Sequence, residues 1–158
     1  MIKAVSLLPR HVELTIGGEG PLRKDLTGLI RELGLQNRVG LAGHVPDAEL
    51  ARFYSSADWF VLPTAALEGF GLVILESLSC GTPVLGTRVG AIPEVLSGFD
   101  PDWIIDRATP ESIAAGIRSA LEKPAPDPQA LHRRVAAQYD WLRIAEQYRE
   151  LFREVLGG

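Results

Sequence analysis

The stretch from Trp59 to Cys80 restricts the fold of this chain more than any other. Trp59-Phe60-Val61-Leu62 is an unbroken apolar run, the pattern of a strand buried on both faces as in a parallel sheet. Glu68-Gly69-Phe70-Gly71 then turns the chain. Leu72 to Cys80 carries a helical pattern, with Gly71, Ile74, Leu75 and Leu78 on one face and Glu76 on another beside Val73, Ser77 and Cys80. Gly81-Thr82-Pro83 ends it. A strand that feeds a helix through a glycine turn builds a parallel α/β sheet, and ligands bind such sheets at the C-terminal ends of their strands.

The physics of this passage favours an anion. A helix N-terminus presents free N–H groups and the positive end of the helix dipole. Gly69 and Gly71 let a ligand approach the backbone closely. Glu68 and Glu76 bracket the turn, roughly 12 Å apart if both followed helical geometry. That is about the reach from the sugar of a nucleotide-sugar, across its diphosphate, to the ribose. Carboxylates accept from hydroxyl groups, so they suit the two ends of such a ligand and not its phosphates. The competing reading makes Glu76 a salt-bridged or exposed helix glutamate and Glu68 a loop charge. Against it, Glu76 lies within Leu-Val-Ile-Leu-Glu-Ser-Leu, where a carboxylate is costly unless a partner satisfies it.

The same strand–turn–helix alternation runs through the rest of the chain. Val12 to Ile16 reads as a strand, followed by Gly17-Gly18-Glu19-Gly20-Pro21 and a helix from Pro21 to about Leu33. Its apolar stripe is Leu22, Leu26, Leu29, Ile30 and Leu33. Residues 38–42 read as a second strand, His44-Val45-Pro46 as a turn, and Asp47 as the N-cap of a helix over 48–56. Further strands are expected at 59–63, 84–87 and 103–105. A helix is expected from Pro110 to about Glu122, with Ile113, Ile117, Ala120 and Leu121 inward. After the prolines at 124, 126 and 128 come helical stretches at 131–138 and 141–156, the last with an apolar stripe from Trp141 to Val155. Met1 to Pro9 looks like the end of an amphipathic helix.

Composition narrows the function. An apolar content of 46% over 158 residues supports one domain with a real core. A net charge of −4 gives no basic footprint for nucleic acid. No apolar run reaches transmembrane length. The single cysteine, Cys80, rules out an internal disulfide framework and fits a reducing compartment, so a cytoplasmic location is expected.

With Leu62-Pro63-Thr64, the Glu68-x7-Glu76 spacing around Gly-Phe-Gly-Leu, Cys80-Gly81-Thr82-Pro83-Val84 and Val89-Gly90-Ala91-Ile92-Pro93-Glu94-Val95, the chain resembles the C-terminal donor-binding domain of family 4-type retaining glycosyltransferases. The resemblance covers nearly all of it and implies a Rossmann-like, doubly wound parallel sheet, the C-terminal half of a GT-B fold. It implies transfer of a sugar from a nucleotide-diphosphate sugar, with no cofactor and no metal. Glu68 would contact donor-sugar hydroxyls near the reaction centre. Gly69, Phe70, Gly71 and Leu72 would bring backbone N–H groups to sugar and phosphates, and Glu76 would accept from the ribose. Gly18 and Glu19 would line the donor, and His44 and Val45 would lie against the base. Asp100-Pro101-Asp102 has the Asp-x-Asp spacing of metal-dependent transferases of another fold, but its proline and the neighbouring Gly98 favour a turn.

The resemblance also implies parts that residues 1–158 do not contain. These are a first strand ending in Gly-Arg, a Lys-Gly loop whose cation joins that Arg in neutralising the diphosphate, and an N-terminal acceptor-binding domain. The helices at 129–158 would face that domain, and the longer protein would work at the cytoplasmic face of a membrane. The chain by itself is then expected to bind donor without turnover. Two other readings stay open: a nucleotide-sugar-binding module working with a separate chain, and a GT-B nucleotide-sugar epimerase. In the doubly wound order 3-2-1-4-5-6, the first strand lies between those at 12–16 and 59–63, so the sheet is expected to be compromised there.

Overall fold

The computed structural model describes residues 1–157. In chain order it runs α1 (Ile2–Ser6), β1 (Leu14–Gly17), α2 (Arg23–Glu32), β2 (Val39–Gly43), α3 (Asp47–Ser55), β3 (Phe60–Leu62), α4 (Leu72–Ser79) and β4 (Val84–Thr87). It continues with α5 (Ile92–Ser97), a 3-10 turn over Pro101–Trp103, β5 (Ile104–Ile105), α6 (Pro110–Leu121), α7 (Pro128–Tyr139) and α8 (Trp141–Leu156). All five expected strands are present, each within two residues of its expected start. No helix among the described residues is long and apolar enough to cross a membrane.

Every strand pairing is parallel, and the sheet is split. β1 pairs with β2, from Leu14 opposite Val39 to Ile16 opposite Leu41. β3 pairs with β4 and β4 with β5. The order is therefore β2-β1, a break, then β3-β4-β5, which is the doubly wound order with one position unfilled. β1 and β3 neither close up nor receive a strand from residues 1–11, which form α1 and its exit.

Two apolar clusters follow the split. The larger holds Ile74, Leu78, Val84, Leu85, Ile92, Leu96 and Ile113, all essentially sealed from solvent. The smaller holds Ile2, Val5, Ile30, Leu35 and Val39. Helix α1 joins them. Ile2 and Val5 belong to the small cluster, Ala4 and Leu8 to the large one, and Met1 touches both. The Arg118 guanidinium donates to the Leu7 carbonyl at 2.9 Å, tying the exit of α1 to α6. The helix expected at the N-terminus is thus the staple of the two halves.

Local details depart from the sequence reading. Asp47 is not an N-cap: the chain enters α3 through extended Pro46, and no side chain caps that terminus. Pro21 and Leu22 precede α2 as a turn, and Leu22 is exposed. Trp103 closes the 3-10 turn, so β5 is only two residues long. Leu121 ends α6 exposed, because the inner face stops at Ala120. Helix α8 buries none of its side chains: Trp141, Leu142, Val155 and Leu156 are largely open to solvent.

Candidate functional site

The loops that leave the C-terminal ends of the strands form the candidate site. Residues 63–71 follow β3. The Thr87 hydroxyl, at the end of β4 and fully buried, donates towards the carbonyls of Leu62 and Thr64 and shapes the start of this loop. Leu67 holds a left-handed conformation at φ 62° and is fully exposed. Gly71, at φ 76°, is the N-cap of α4, a conformation that glycine adopts without a Cβ penalty. No side chain caps α4 and no acidic residue lies in its first turn. By contrast α6, α7 and α8 are capped by Thr109, Asp127 and Asp140. The donors at the head of α4 are therefore left for something else.

Gly90, in the turn after β4, sets where Glu68 sits. A Cβ there would lie 1.9 Å from the Glu68 carbonyl oxygen. Only glycine lets the turn at 88–91 press against the backbone of residue 68. Glu68 itself is half-buried. Phe70 is partly exposed and leans edge-on against Tyr139 at the end of α7, with ring centroids 6.2 Å apart.

Glu76 departs from the expectation. It is exposed and not enclosed by its apolar neighbours, because α4 buries the faces that carry Ile74, Ser77 and Leu78. Its partner is Tyr54 on α3, whose hydroxyl donates to Glu76 Oε2 at 2.9 Å. Burial, then the hydrogen bond to Glu76 and its charge, push the Tyr54 phenol well above its ordinary range, so it stays a donor. Burial, and secondarily Glu76, also raise the thiol of Cys80, which is half-buried and free. That environment suits an inert thiol rather than a nucleophile.

A second group lies at the ends of β1 and β2. The Gly18 N–H donates to the Gly43 carbonyl at 2.7 Å, and both glycines have positive φ. Glu19 Oε1 and Arg23 Nη1 lie 3.5 and 3.6 Å from where a Cβ on Gly43 would stand. A shallow groove of about 270 Å³ runs here, lined by Ile16, Gly18, Glu19, Arg23 and Leu41 among others. His44 is exposed and Val45 half-buried. Gly18, Glu19, His44 and Val45 thus gather at one place, and Glu68 to Leu72 with Glu76 at another. Helix α3 reaches both. A Cβ on Gly17 would stand 3.1 Å from the Phe53 ring and 3.4 Å from Val45, while the next residue, Tyr54, holds Glu76.

Tyr54, Gly90 and Thr87 were absent from the residues expected at the site. Gly90 had a signal, a glycine turn after a strand on the ligand edge. Tyr54 had none, since a tyrosine on the inner face of a short helix reads as core. The Asp-x-Asp pair is structural: the Asp100 side chain accepts from the Asp102 N–H at 2.9 Å, and Asp102 is paired with Lys123 at 2.6 Å. No group of three or more His, Cys, Asp or Glu side chains among the described residues is arranged to hold a metal ion.

Comparison with known proteins agrees with this geometry. A family model described as glycosyl transferases group 1 matches residues 1–139. The chain is similar to the phosphatidylinositol N-acetylglucosaminyltransferase of Arabidopsis thaliana, at 30% identity over 93% of this chain and 32% of that protein. It is similar to D-inositol 3-phosphate glycosyltransferase of Thermobispora bispora, at 35% identity over 88% of this chain and 33% of that protein. The chain thus spans about a third of the length of these curated relatives. Among solved structures it superposes on sucrose-phosphate synthase from Thermosynechococcus elongatus with a TM-score of 0.80 and 28% identity, over 99% of this chain and 41% of the other. It superposes on Anabaena Alr3699/HepE in complex with UDP with a TM-score of 0.82, over 97% of this chain and 44% of the other; at 23% identity this speaks for the fold.

Proposed function

The chain belongs to the group 1 glycosyl transferases, and from that premise we propose that it is the donor-binding half of a retaining enzyme that moves a sugar from a nucleotide-diphosphate sugar. The observation that carries the reading is the uncapped N-terminus of α4. It is approached through left-handed Gly71 and stands between Glu68 and Glu76 at the C-terminal end of a parallel strand.

In this reading the diphosphate lies against the first N–H groups of α4. The helix dipole there stabilises the charge that grows on the leaving phosphate. Glu68 accepts from hydroxyls of the transferred sugar, its backbone held by Gly90, and is the residue nearest the reaction centre. Glu76 accepts from ribose hydroxyls. Gly69, Phe70 and Leu72 line the path between them, with Gly18 and Glu19 opposite and His44 and Val45 against the base. Retention follows from attack on the face that the phosphate leaves, with no covalent enzyme intermediate assigned. An acceptor-binding domain is the partner, and the exposed apolar face of α8 is available to it. Without that domain and the cations that neutralise the diphosphate, residues 1–158 bind donor weakly and do not turn it over.

The test is an NMR titration of the protein with UDP, GDP, ADP and UDP-glucose. Amide shifts are expected at residues 68–73 and 44–45. Shifts centred near Asp100, or none at millimolar ligand, would overturn the site.

A further inference from the structure

We infer that Tyr54 is a positioning residue of this donor site: its hydroxyl, donating to Glu76 Oε2 at 2.9 Å, fixes the carboxylate so that its other oxygen is held ready for the ribose hydroxyls. The inference rests on the donor-site reading above and adds to it the residue that orients one of its two acids.

Glu76 needs such a device. It is exposed on α4, and among the described residues no arginine or lysine pairs with it. A glutamate in that setting samples several rotamers, and a ligand that needs one of them must order it. Tyr54 is fixed from several sides. Its side chain is buried, and its ring stands edge-on to Phe60 of β3 with centroids 5.4 Å apart. Its carbonyl accepts from Thr82 Oγ1 at 2.8 Å, and the Thr82 carbonyl in turn accepts from Ser77 Oγ at 3.0 Å. Ser77 is the residue after Glu76. The chain of bonds therefore closes on itself: α3 to the turn after α4, the turn to α4, and α4 back to α3 through the carboxylate. Aligned, charge-assisted hydrogen bonds of this kind hold a group in one geometry. The raised pKa of the phenol keeps it a donor across the physiological range. A tyrosine present only for packing would not need its hydroxyl on a carboxylate at the candidate site.

The experiment measures binding of the tightest of UDP, GDP and ADP, and of its 2′,3′-dideoxy analogue, to the unaltered protein, Tyr54→Phe, Glu76→Ala and the double variant. Tyr54→Phe is expected to weaken the ribonucleotide by roughly 3- to 10-fold and to leave the dideoxy analogue within about twofold. The double variant is expected to bind no more weakly than Glu76→Ala alone, because the phenol acts only through Glu76. The side-chain carboxyl ¹³C resonance of Glu76 should also move in Tyr54→Phe, a readout that a packing change elsewhere leaves alone. Unchanged affinity in Tyr54→Phe, equal loss for both ligands, or additive losses in the double variant would overturn the positioning role while leaving the donor site standing. Full affinity in Glu76→Ala, or no nucleotide binding at all, would instead overturn the donor-site reading, and the inference with it.

Discussion

Strand β4 is buried at every position and lies on a core where Ile74, Leu78, Ile92 and Leu96 are sealed from water, whereas β1 alternates half-buried with exposed and rests on a handful of residues. Both halves of the sheet have parallel strands, with helices crossing between them. What separates them is how many layers cover each. The half that contains β3, β4 and β5 is packed by α4, α5 and α6, with Leu131 and Val135 of α7 in the same core. The half that contains β1 and β2 has α2 and a shared claim on α1. Glu68 and Glu76 therefore stand on the well-covered half. The groove by Gly18 and Glu19 stands on the lightly covered one. A donor spanning both would bind across a rigid wall and a more yielding one.

Paired truncations test that contrast most strongly. Removing the same atoms from each core, Ile74→Ala should cost about 4–5 kcal/mol and Ile30→Ala about 2 kcal/mol, the two ends of the range for such substitutions, since lightly covered sites relax around the cavity. Chemical denaturation of both variants measures the difference. Native-state hydrogen exchange should agree. Amides of Val84–Thr87 should exchange only through global unfolding, and those of Leu14–Gly17 through a smaller opening. Equal costs and equal protection would show that the two halves form one cooperative unit, with the break in the sheet energetically silent.

The elements of both halves were legible in the sequence, but not this difference between them. Apolar runs such as Trp59 to Leu62, punctuated by glycines, mark the strands, and the doubly wound order predicts a break beside β1. Burial depends on what lands on a strand from far along the chain. Nothing near Val84 in sequence announces that Leu131 and Val135 will share its core. The site divides the same way. Glu68, Gly71 and Glu76 follow from local pattern, because a glycine turn before a helix is a local event. The Tyr54 hydroxyl on Glu76 spans 22 positions, and Gly90 against the Glu68 carbonyl also joins separate loops. Where Glu76 had only sequence neighbours to judge by, its apolar company implied burial. The helix faces, once packed, left it outside.

A smaller effect should come from Gly90→Ala, which strikes the stronger half at its one strained contact. The new methyl would stand 1.9 Å from the Glu68 carbonyl oxygen, in a backbone at φ 54°. Backbone atoms at that distance cannot be accommodated by a rotamer change, so the loop at 63–71 must move. A cost of about 2–3 kcal/mol is expected from overpacking and the left-handed conformation together. Because Glu68 moves with the loop, nucleotide-sugar binding should fall while the amides of β4 and β5 keep their protection. Unaltered binding would mean that the Glu68 backbone is not held by this contact.

The mildest probe addresses the lightly covered half, where polar contacts do what apolar burial does elsewhere. Arg38, just before β2, folds its guanidinium back onto the link between α1 and β1. It donates to the Val12 carbonyl at 3.0 Å from Nε and 2.9 Å from Nη2, and to the Pro9 carbonyl at 2.8 Å. The connection that sets where β1 starts is therefore pinned to β2 by one side chain. Arg38→Met keeps the apolar stem but leaves these carbonyls without their donors. Water reaches Pro9, which is exposed, more easily than Val12, which is half-buried, so only part of the loss is recovered. A cost of about 1–2 kcal/mol is expected, near the value of charge-assisted hydrogen bonds partly replaced by solvent. The loss should appear as faster exchange at Leu14–Gly17 and a shift in the Gly18 and Glu19 amides, with β3, β4 and β5 unaffected. Faster exchange in both halves to the same extent would show that α1 transmits the loss of this pin across the break.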